Sequence, residues 1–177
     1  MKNFLSFLAA ILNIHSSDFA KFTNNWIKLA NGTGALDYPW FNTVATSTPG
    51  GNINNVASLA YNPSTEKLLV SSRNSNIYII NIATATQEGT LSLAGLGTEA
   101  FKFNKIRVDA DGVIYGISLA AVSAFLVKIY RWASQTYPTV LCATFNCSER
   151  VGDSFGLSVI GTNTVLYASG AGSNANA

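Results

Sequence analysis

Two aspartates separated by one residue form the string of this sequence that most suggests chemistry, Asp109-Ala110-Asp111-Gly112. Carboxylates at this spacing, followed by a glycine, can wrap a calcium ion with side-chain and backbone oxygens. The same Asp-Gly pair also favours a tight β-hairpin turn between the apolar segments on either side. Because no further acid follows at the spacing of the last ligand of a calcium loop, the turn is the favoured interpretation. Calcium is the alternative, and no other cofactor is expected.

Two cysteines, Cys142 and Cys147, lie close together in the sequence. In an oxidising compartment they could form a disulfide across a small loop at a strand end. A zinc site would need two further ligands, but the chain has no other cysteine and a single histidine, His15. A disulfide and two free thiols both stay open.

An aromatic segment, Tyr38-Pro39-Trp40-Phe41, lies in a stretch rich in glycine, threonine, asparagine and proline. Aromatic side chains on the loops of an extracellular β protein can stack on sugar rings. We therefore expect Trp40, with Tyr38 beside it, to face a ligand. The aromatics that recur within strands are expected to fill the core between sheets instead: Tyr61, Tyr78, Tyr115, Tyr130, Trp132 and Tyr167.

No catalytic residue is predicted, since His15 falls in a segment expected to be removed and nucleophilic triads use a histidine base. The string Gly152-Asp153-Ser154 resembles the nucleophile motif of a class of esterases. Without a histidine it is better interpreted as a loop in which Asp153 or Ser154 bonds backbone groups. The rival hypothesis is a fragment of a metal-assisted hydrolase or lyase that uses Asp109, Asp111 and Asp153.

The composition limits the class of protein. The 177 residues carry a formal charge of +2, with 11% charged and 48% hydrophobic side chains, whereas about 25% charged residues are usual. A disordered tail, a coiled coil and a strongly basic nucleic-acid-binding protein are excluded. The basic residues are dispersed and predict solvated faces rather than a nucleic-acid stripe: Arg73, Lys105, Arg107, Lys128 and Arg131.

The first 20 residues have the pattern of a secretory signal peptide, with one lysine and then an apolar run from Phe4 to Ile14. The run is too short for a membrane span, which needs about 20 residues. The alternative is an amphipathic helix that packs on the body of the protein. The signal peptide predicts a secreted or cell-surface protein without a membrane span.

A repeat organises the rest of the chain. The segments that begin at Leu59, Ile106 and Leu157 each read as a short strand, a polar turn and a second apolar strand. Two further strands follow in each of the first two copies, at Ile77–Ile82 and Gly89–Leu93 and then at Phe125–Trp132 and Thr139–Ala143. The starting points are 47 and 51 residues apart, close to the roughly 40 to 50 residues of one four-stranded propeller blade.

The repeats predict an all-β protein of β-propeller-like blades with four antiparallel strands each, over residues 21–169. A lone strand is expected at Asn25–Ala30, ahead of the first blade, and a low-complexity tail at 170–177. About two and a half blades are present, fewer than the four to eight of closed propellers. Missing blades or self-association would have to complete the array.

A family resemblance rests on five sequence segments: Leu59–Arg73, Ile77–Asn81, Lys105–Tyr115, Lys128–Trp132 and Arg150–Ser154. As a set, over most of residues 21–166, they resemble a family of secreted bacterial proteins with a conserved domain of unknown function. Those proteins look like β-propellers and are much longer than this chain. The resemblance implies a propeller fold, an extracytoplasmic setting and an N-terminal fragment, and it assigns no catalytic residues.

These observations together favour a secreted, non-catalytic propeller segment that acts as a binding or surface-interaction module. A glycan or a protein of the cell envelope is the expected partner, and nucleic acid is not.

Overall fold

The computed structural model describes Tyr38 and residues 56–73, 76–97, 101–120, 126–147 and 149–170. Within these residues the fold is all-β, with ten strands and no helix, and hence no helix long and apolar enough to cross a membrane. The predicted lone strand, the N-terminal segment, Trp40 and the tail after Gly170 lie outside the described residues. The chain divides into two units, one of Met1–Asn54 with Ile82–Thr86 and one of Asn55–Asn81 with Gln87–Ala177.

The strands of the second unit form three antiparallel sheets in chain order, which we name blades 1, 2 and 3. Blade 1 holds β1 (Val56–Asn62), β2 (Lys67–Ser72), β3 (Ile77–Asn81) and β4 (Gln87–Thr90). Blade 2 holds β5 (Lys105–Val108), β6 (Ile114–Ile117), β7 (Leu126–Trp132) and β8 (Val140–Asn146). Blade 3 is a hairpin of β9 (Ser154–Ile160) and β10 (Asn163–Ser169). The predicted pattern of four, four and two strands is confirmed, and the sheets form an open series.

The strand borders differ from the sequence-based prediction at the outer strands. β4 was expected at Gly89–Leu93, but it pairs with β3 through a bulge, with Ile79 opposite Gly89 and Ile80 opposite Gln87. The strand thus begins two residues earlier than predicted, and Glu88 is the extra residue of the bulge. β8 in turn extends past the predicted end at Ala143 to Asn146.

The hairpin turns are closed by polar side chains that accept hydrogen bonds from N–H groups a few residues further along the chain. Asn62 Oδ1 accepts the Ser64 N–H at 3.1 Å and the Ser64 hydroxyl at 2.9 Å, which closes the β1–β2 turn. Asp109 Oδ1 accepts the N–H groups of Asp111 and Val113, which closes the β5–β6 turn. Gly112 supplies the positive φ of 84° that this turn needs.

The inner strands β1, β5 and β9 lie side by side. The Ser58 hydroxyl accepts the Ile106 N–H at 3.1 Å, and Asn62 Nδ2 donates to the Gly112 carbonyl at 3.3 Å, so β1 and β5 run in the same direction. The turns after β1, β5, β7 and β9 therefore share one end of the blades, which we name the hairpin end. The connections β2–β3, β4–β5, β6–β7 and β8–β9 share the opposite end.

Blade 2 is covered on both faces, which explains why every residue of β6 is buried. One face packs on blade 1 in a cluster that contains Leu69, Ile77, Leu91, Phe103, Ile106, Ile114, Tyr130 and Trp132. The other face packs on blade 3 in a cluster that contains Tyr115, Ile117, Ala120, Val127, Ile129 and Phe155. The continuous apolar runs of this blade are thus the expected pattern of a sheet buried on both sides.

Most of the strand aromatics fill this core as predicted, because Tyr78, Tyr115, Tyr130 and Trp132 are buried. The prediction was wrong for two tyrosines. Tyr61 is 49% exposed and Tyr167 is 55% exposed. Tyr167 lies on β10, which pairs only with β9 among the described strands.

Candidate functional site

An open cleft of about 730 Å³ lies between the outer part of blade 1 and the β7–β8 turn of blade 2. Its lining mixes apolar side chains with hydroxyl, amide and carboxylate groups. The lining residues are Ile79, Glu88, Gly89, Thr90, Leu91, Ser92, Leu93, Gln135 and Thr136. Such a mixture of apolar surface and a few placed polar groups is typical of small-molecule sites.

The β7–β8 turn is fixed against blade 1 by hydrogen bonds. Trp132 Nε1 and the Thr139 hydroxyl both donate to the Ser92 carbonyl, at 2.8 and 2.9 Å. Gln135 Nε2 donates to the Thr65 hydroxyl at 2.8 Å, so this amide spans from one blade to the other. The wall that blade 2 contributes to the cleft is therefore preformed.

Glu88 places a charged carboxylate on the opposite wall. Its Oε1 accepts Asn81 Nδ2 at 2.8 Å and Lys67 Nζ at 3.0 Å. These two hydrogen bonds, that from Asn81 first, hold the pKa of Glu88 below its usual value of 4.5. The carboxylate is thus ionised at neutral pH and can accept hydrogen bonds from hydroxyl groups of a ligand.

Tyr137 directly follows Thr136 of the cleft lining and is 59% exposed. Its N–H donates to the Ser134 carbonyl at 3.3 Å, which closes the turn. The sequence-based prediction placed a turn here but passed over Tyr137. The signal was available, because Tyr137-Pro138 repeats the Tyr-Pro pair of Tyr38-Pro39 in a second turn segment.

The aromatic pair predicted to face a ligand lies in the first unit. Trp40 is outside the described residues. Tyr38 is only 5% exposed, and its hydroxyl donates a hydrogen bond to the Ala85 carbonyl. This bond ties two segments of the first unit together. A ligand contact by Tyr38 and Trp40 stays a prediction.

The aspartate pair forms the β5–β6 turn. Asp109 is buried, and its Oδ1 accepts the N–H groups of Asp111 and Val113 at 3.1 and 2.9 Å. Asp111 is exposed. Among the described residues, no group of three or more histidine, cysteine, aspartate or glutamate side chains could hold a metal ion. The turn interpretation accounts for Asp109, and calcium binding by the pair stays a prediction.

The two cysteines are free thiols, so of the two alternatives the structure has the unbridged one. Cys142 lies within β8 and Cys147 follows its last residue. Along an extended strand, residues five apart are separated by about 16 Å, whereas a disulfide requires Cα atoms within about 7 Å. Burial raises the pKa of the Cys142 thiol.

Asp153 forms an ion pair with Arg150, which the sequence did not predict. Arg150 donates from Nε to Asp153 Oδ2 at 2.6 Å and from Nη2 to Oδ1 at 2.7 Å. The hydrogen bonds that Arg150 donates to Asp153 also raise the pKa of Arg150. This two-point ion pair shapes the β8–β9 connection just before Ser154 begins β9.

The basic residues are not all solvated, contrary to the prediction. Arg73 and Lys105 are both half-buried, and Lys105 Nζ donates to the Ala57 carbonyl at 2.7 Å. They come together because the end of β2 and the start of β5 meet at the same end of neighbouring blades.

Comparisons with known proteins bear on the fold. No family model and no curated protein matches the chain. The crystal structure of a DUF4623 family protein from Bacteroides eggerthii is similar, with a TM-score of 0.50 and 20% identity over 58% of this chain. A putative oxidoreductase (glucose dehydrogenase) from Thermus thermophilus also matches, with a TM-score of 0.34 and 15% identity over 53% of this chain and 28% of its own.

The match to the DUF4623 protein covers 26% of that chain, so the matched part of this chain corresponds to about a quarter of it. At 20% identity the likeness concerns the fold alone. It agrees with the expected similarity to bacterial proteins that contain a domain of unknown function.

Proposed function

We propose that this chain is an extracellular, non-catalytic binding module of β-propeller blades, and that the cleft between blades 1 and 2 takes a carbohydrate. The observation that carries the proposal is the exposed Tyr137 beside a preformed polar cleft. The exposed part of the Tyr137 ring can stack on the apolar face of a sugar.

The polar groups of the cleft suit the hydroxyl groups of a neutral sugar. The Glu88 carboxylate is an acceptor whose position is fixed by Asn81 and Lys67. Gln135 lies on the facing wall and keeps its amide oxygen as a second acceptor. An acceptor on each wall and a ring at the border would orient a sugar while leaving much of it in solvent, as suits a binding module on a polymer.

The test compares Tyr137→Ala with Tyr61→Ala, a control tyrosine on β1 that is 49% exposed. Wild-type protein is screened on an oligosaccharide array, and the affinity for each positive glycan is measured by titration calorimetry. Loss of the stacking ring should weaken binding about tenfold or more, whereas the control should bind as wild type. Equal affinity for both variants would contradict the assignment of the cleft.

An envelope protein is the other ligand class, and the same variants distinguish it. If no glycan binds while a purified cell-surface protein does, the carbohydrate proposal fails. Trp40→Ala serves as a third variant, since a loss of glycan binding there alone would move the site to the first unit.

Completion of the blade array is part of the proposal. β10 has one paired edge among the described strands, and Ile160 and Tyr167 on the hairpin are exposed. Further blades or a second copy would cover this surface and protect the free edge. Light scattering coupled to size exclusion tests this completion of the array. A single peak at one defined multiple of the chain mass indicates self-association. A stable monodisperse monomer would contradict completion by further blades and by a second copy.

A further inference from the structure

Two cations of neighbouring blades meet at the end opposite the hairpin turns. Val56 pairs with Ser72 and Ser58 with Ser71, so Ala57 is an extra residue in a β-bulge. The bulge leaves the Ala57 carbonyl free for Lys105 Nζ, which donates to it at 2.7 Å. The ammonium group therefore lies beside the end of β2, where the next residue along the chain is Arg73.

The side chain of Arg73 is held in place but incompletely bonded. The Lys102 N–H donates to the Arg73 carbonyl at 3.2 Å, which brings the β4–β5 connection against the end of β2. The Arg73 guanidinium carbon lies over the Phe101 ring, 5.7 Å from its centroid, within the range of a cation–π interaction. Arg73 Nε is buried and has no hydrogen-bond partner.

No carboxylate neutralises this pair within the described part of the chain. The ion pairs there join Lys67 with Glu88 and Arg150 with Asp153. The charge of Asp153 acts on Lys105, but Arg150 binds both oxygens of this carboxylate. Burial, and then the charge of Arg73, lower the pKa of Lys105.

A buried donor without a partner and two adjacent cations without a counter-ion among the described residues both cost free energy in the folded state. A carboxylate would relieve both costs at once. The Nε and one Nη of a guanidinium present two parallel N–H donors that match the two carboxylate oxygens, and an ammonium adds a compact charge. Binding sites commonly retain such costs, because the ligand supplies the missing partner.

We propose that Arg73 and Lys105 form a binding site for the carboxylate group of a ligand, with the Phe101 ring beside the guanidinium group. This site is separate from the carbohydrate cleft. The β7–β8 turn, which lines the cleft, lies at the hairpin end of the blades, whereas Arg73 and Lys105 lie at the opposite end. The carboxylate can belong to a small organic acid or to a uronic acid unit of a glycan.

The experiment titrates the full chain, labelled with ¹⁵N, with sodium acetate, sodium glucuronate and glucose. The Arg73 Nε–H signal and the Lys102 amide signal are followed by NMR at low and high salt. We expect saturable shifts with both carboxylates, none with glucose, and weaker binding at high salt. Glucuronate affinity about tenfold above that of acetate would indicate a uronic acid, and equal affinity a small acid.

Variants locate the site. Arg73→Gln and Lys105→Gln should each weaken carboxylate binding about tenfold or more. Arg131→Gln, which changes the charge equally on β7, should bind as wild type. Thermal unfolding checks that each variant is folded. If Arg73→Gln does not fold, the affinity of Lys105→Gln still decides the test.

Three results would overturn the proposal: no saturable shift with either carboxylate, equal shifts with glucose, or unchanged affinity in the folded Arg73 and Lys105 variants. Tyr137→Ala should leave carboxylate binding unchanged, so failure of the carbohydrate cleft and failure of this site are separate outcomes.

Discussion

Replacing Ser58 with alanine tests how neighbouring blades are joined. β5 is the inner edge strand of blade 2, so the backbone groups of Ile106 that face away from β6 have no strand to pair with. The Ser58 hydroxyl accepts the Ile106 N–H at 3.1 Å and donates to the Ile106 carbonyl at 3.4 Å. Ile106 is fully buried, so water does not replace a lost partner.

The expected loss of stability depends on which hydrogen bonds the Ile106 carbonyl and N–H keep in the variant. The Ile106 carbonyl retains a hydrogen bond from Arg107 Nη1 at 2.7 Å. The N–H loses its only side-chain acceptor, and a buried donor without a partner costs about 1–3 kcal/mol. Ser58→Ala should therefore lower the free energy of unfolding by about 1–3 kcal/mol, and the melting temperature by about 2–4 °C for each kcal/mol.

The assay is urea unfolding followed by tryptophan fluorescence and circular dichroism, with the change taken from the midpoint at constant slope. Amide hydrogen exchange at Ile106 reports the same bond directly and should accelerate in the variant. Ser154→Ala, an exposed serine at the start of β9, is the control and should stay within about 0.5 kcal/mol of wild type. If Ser58→Ala matches this control and exchange at Ile106 is unchanged, the hydroxyl does not join the blades.

Three further predictions concern the turns and the cleft. Gly112→Ala should destabilise the protein by more than about 1 kcal/mol, because φ is +84° and the new Cβ would lie 1.9 Å from a serine hydroxyl of the β1–β2 turn. Gly89→Ala meets nothing within 4 Å and is its control in thermal unfolding. Glu88 should titrate by NMR below its usual pKa of 4.5, so the stability it contributes is present above that pH and is lost as the pH falls through the lowered value. Asn81→Ala should move this pKa back towards 4.5, and no change would contradict the assigned cause. Calcium should leave the melting temperature unchanged, whereas a rise that Asp111→Asn abolishes would establish a calcium site.

The pattern of the repeats could be predicted from the sequence because its signals are local. Alternation of apolar residues over a few positions and a polar turn determine a hairpin wherever they occur. The segments at Leu59, Ile106 and Leu157 therefore gave β1–β2, β5–β6 and β9–β10. The incomplete third blade was predicted from the number of strands that follow each hairpin in the sequence.

The sites could not be predicted in this way, because each joins residues that are distant in the sequence. Several hydrogen bonds between neighbouring blades connect residues 47 to 50 apart, as with Thr139 and Ser92 or Asn62 and Gly112. Only the register between blades decides which side chains meet there, and a bulge of one residue changes it. The sequence indicated neither the pairing of Arg73 with Lys105 nor the cleft beside Tyr137.

The sequence by itself therefore determined the all-β class, the strand order and the turn chemistry of this protein, since these depend on neighbours within a few residues. The tertiary structure decided which face of each strand is covered, which tyrosines are exposed and which charges of the described residues are paired. Burial and electrostatic pairing depend on the packing of one blade against the next, and no local pattern specifies that packing.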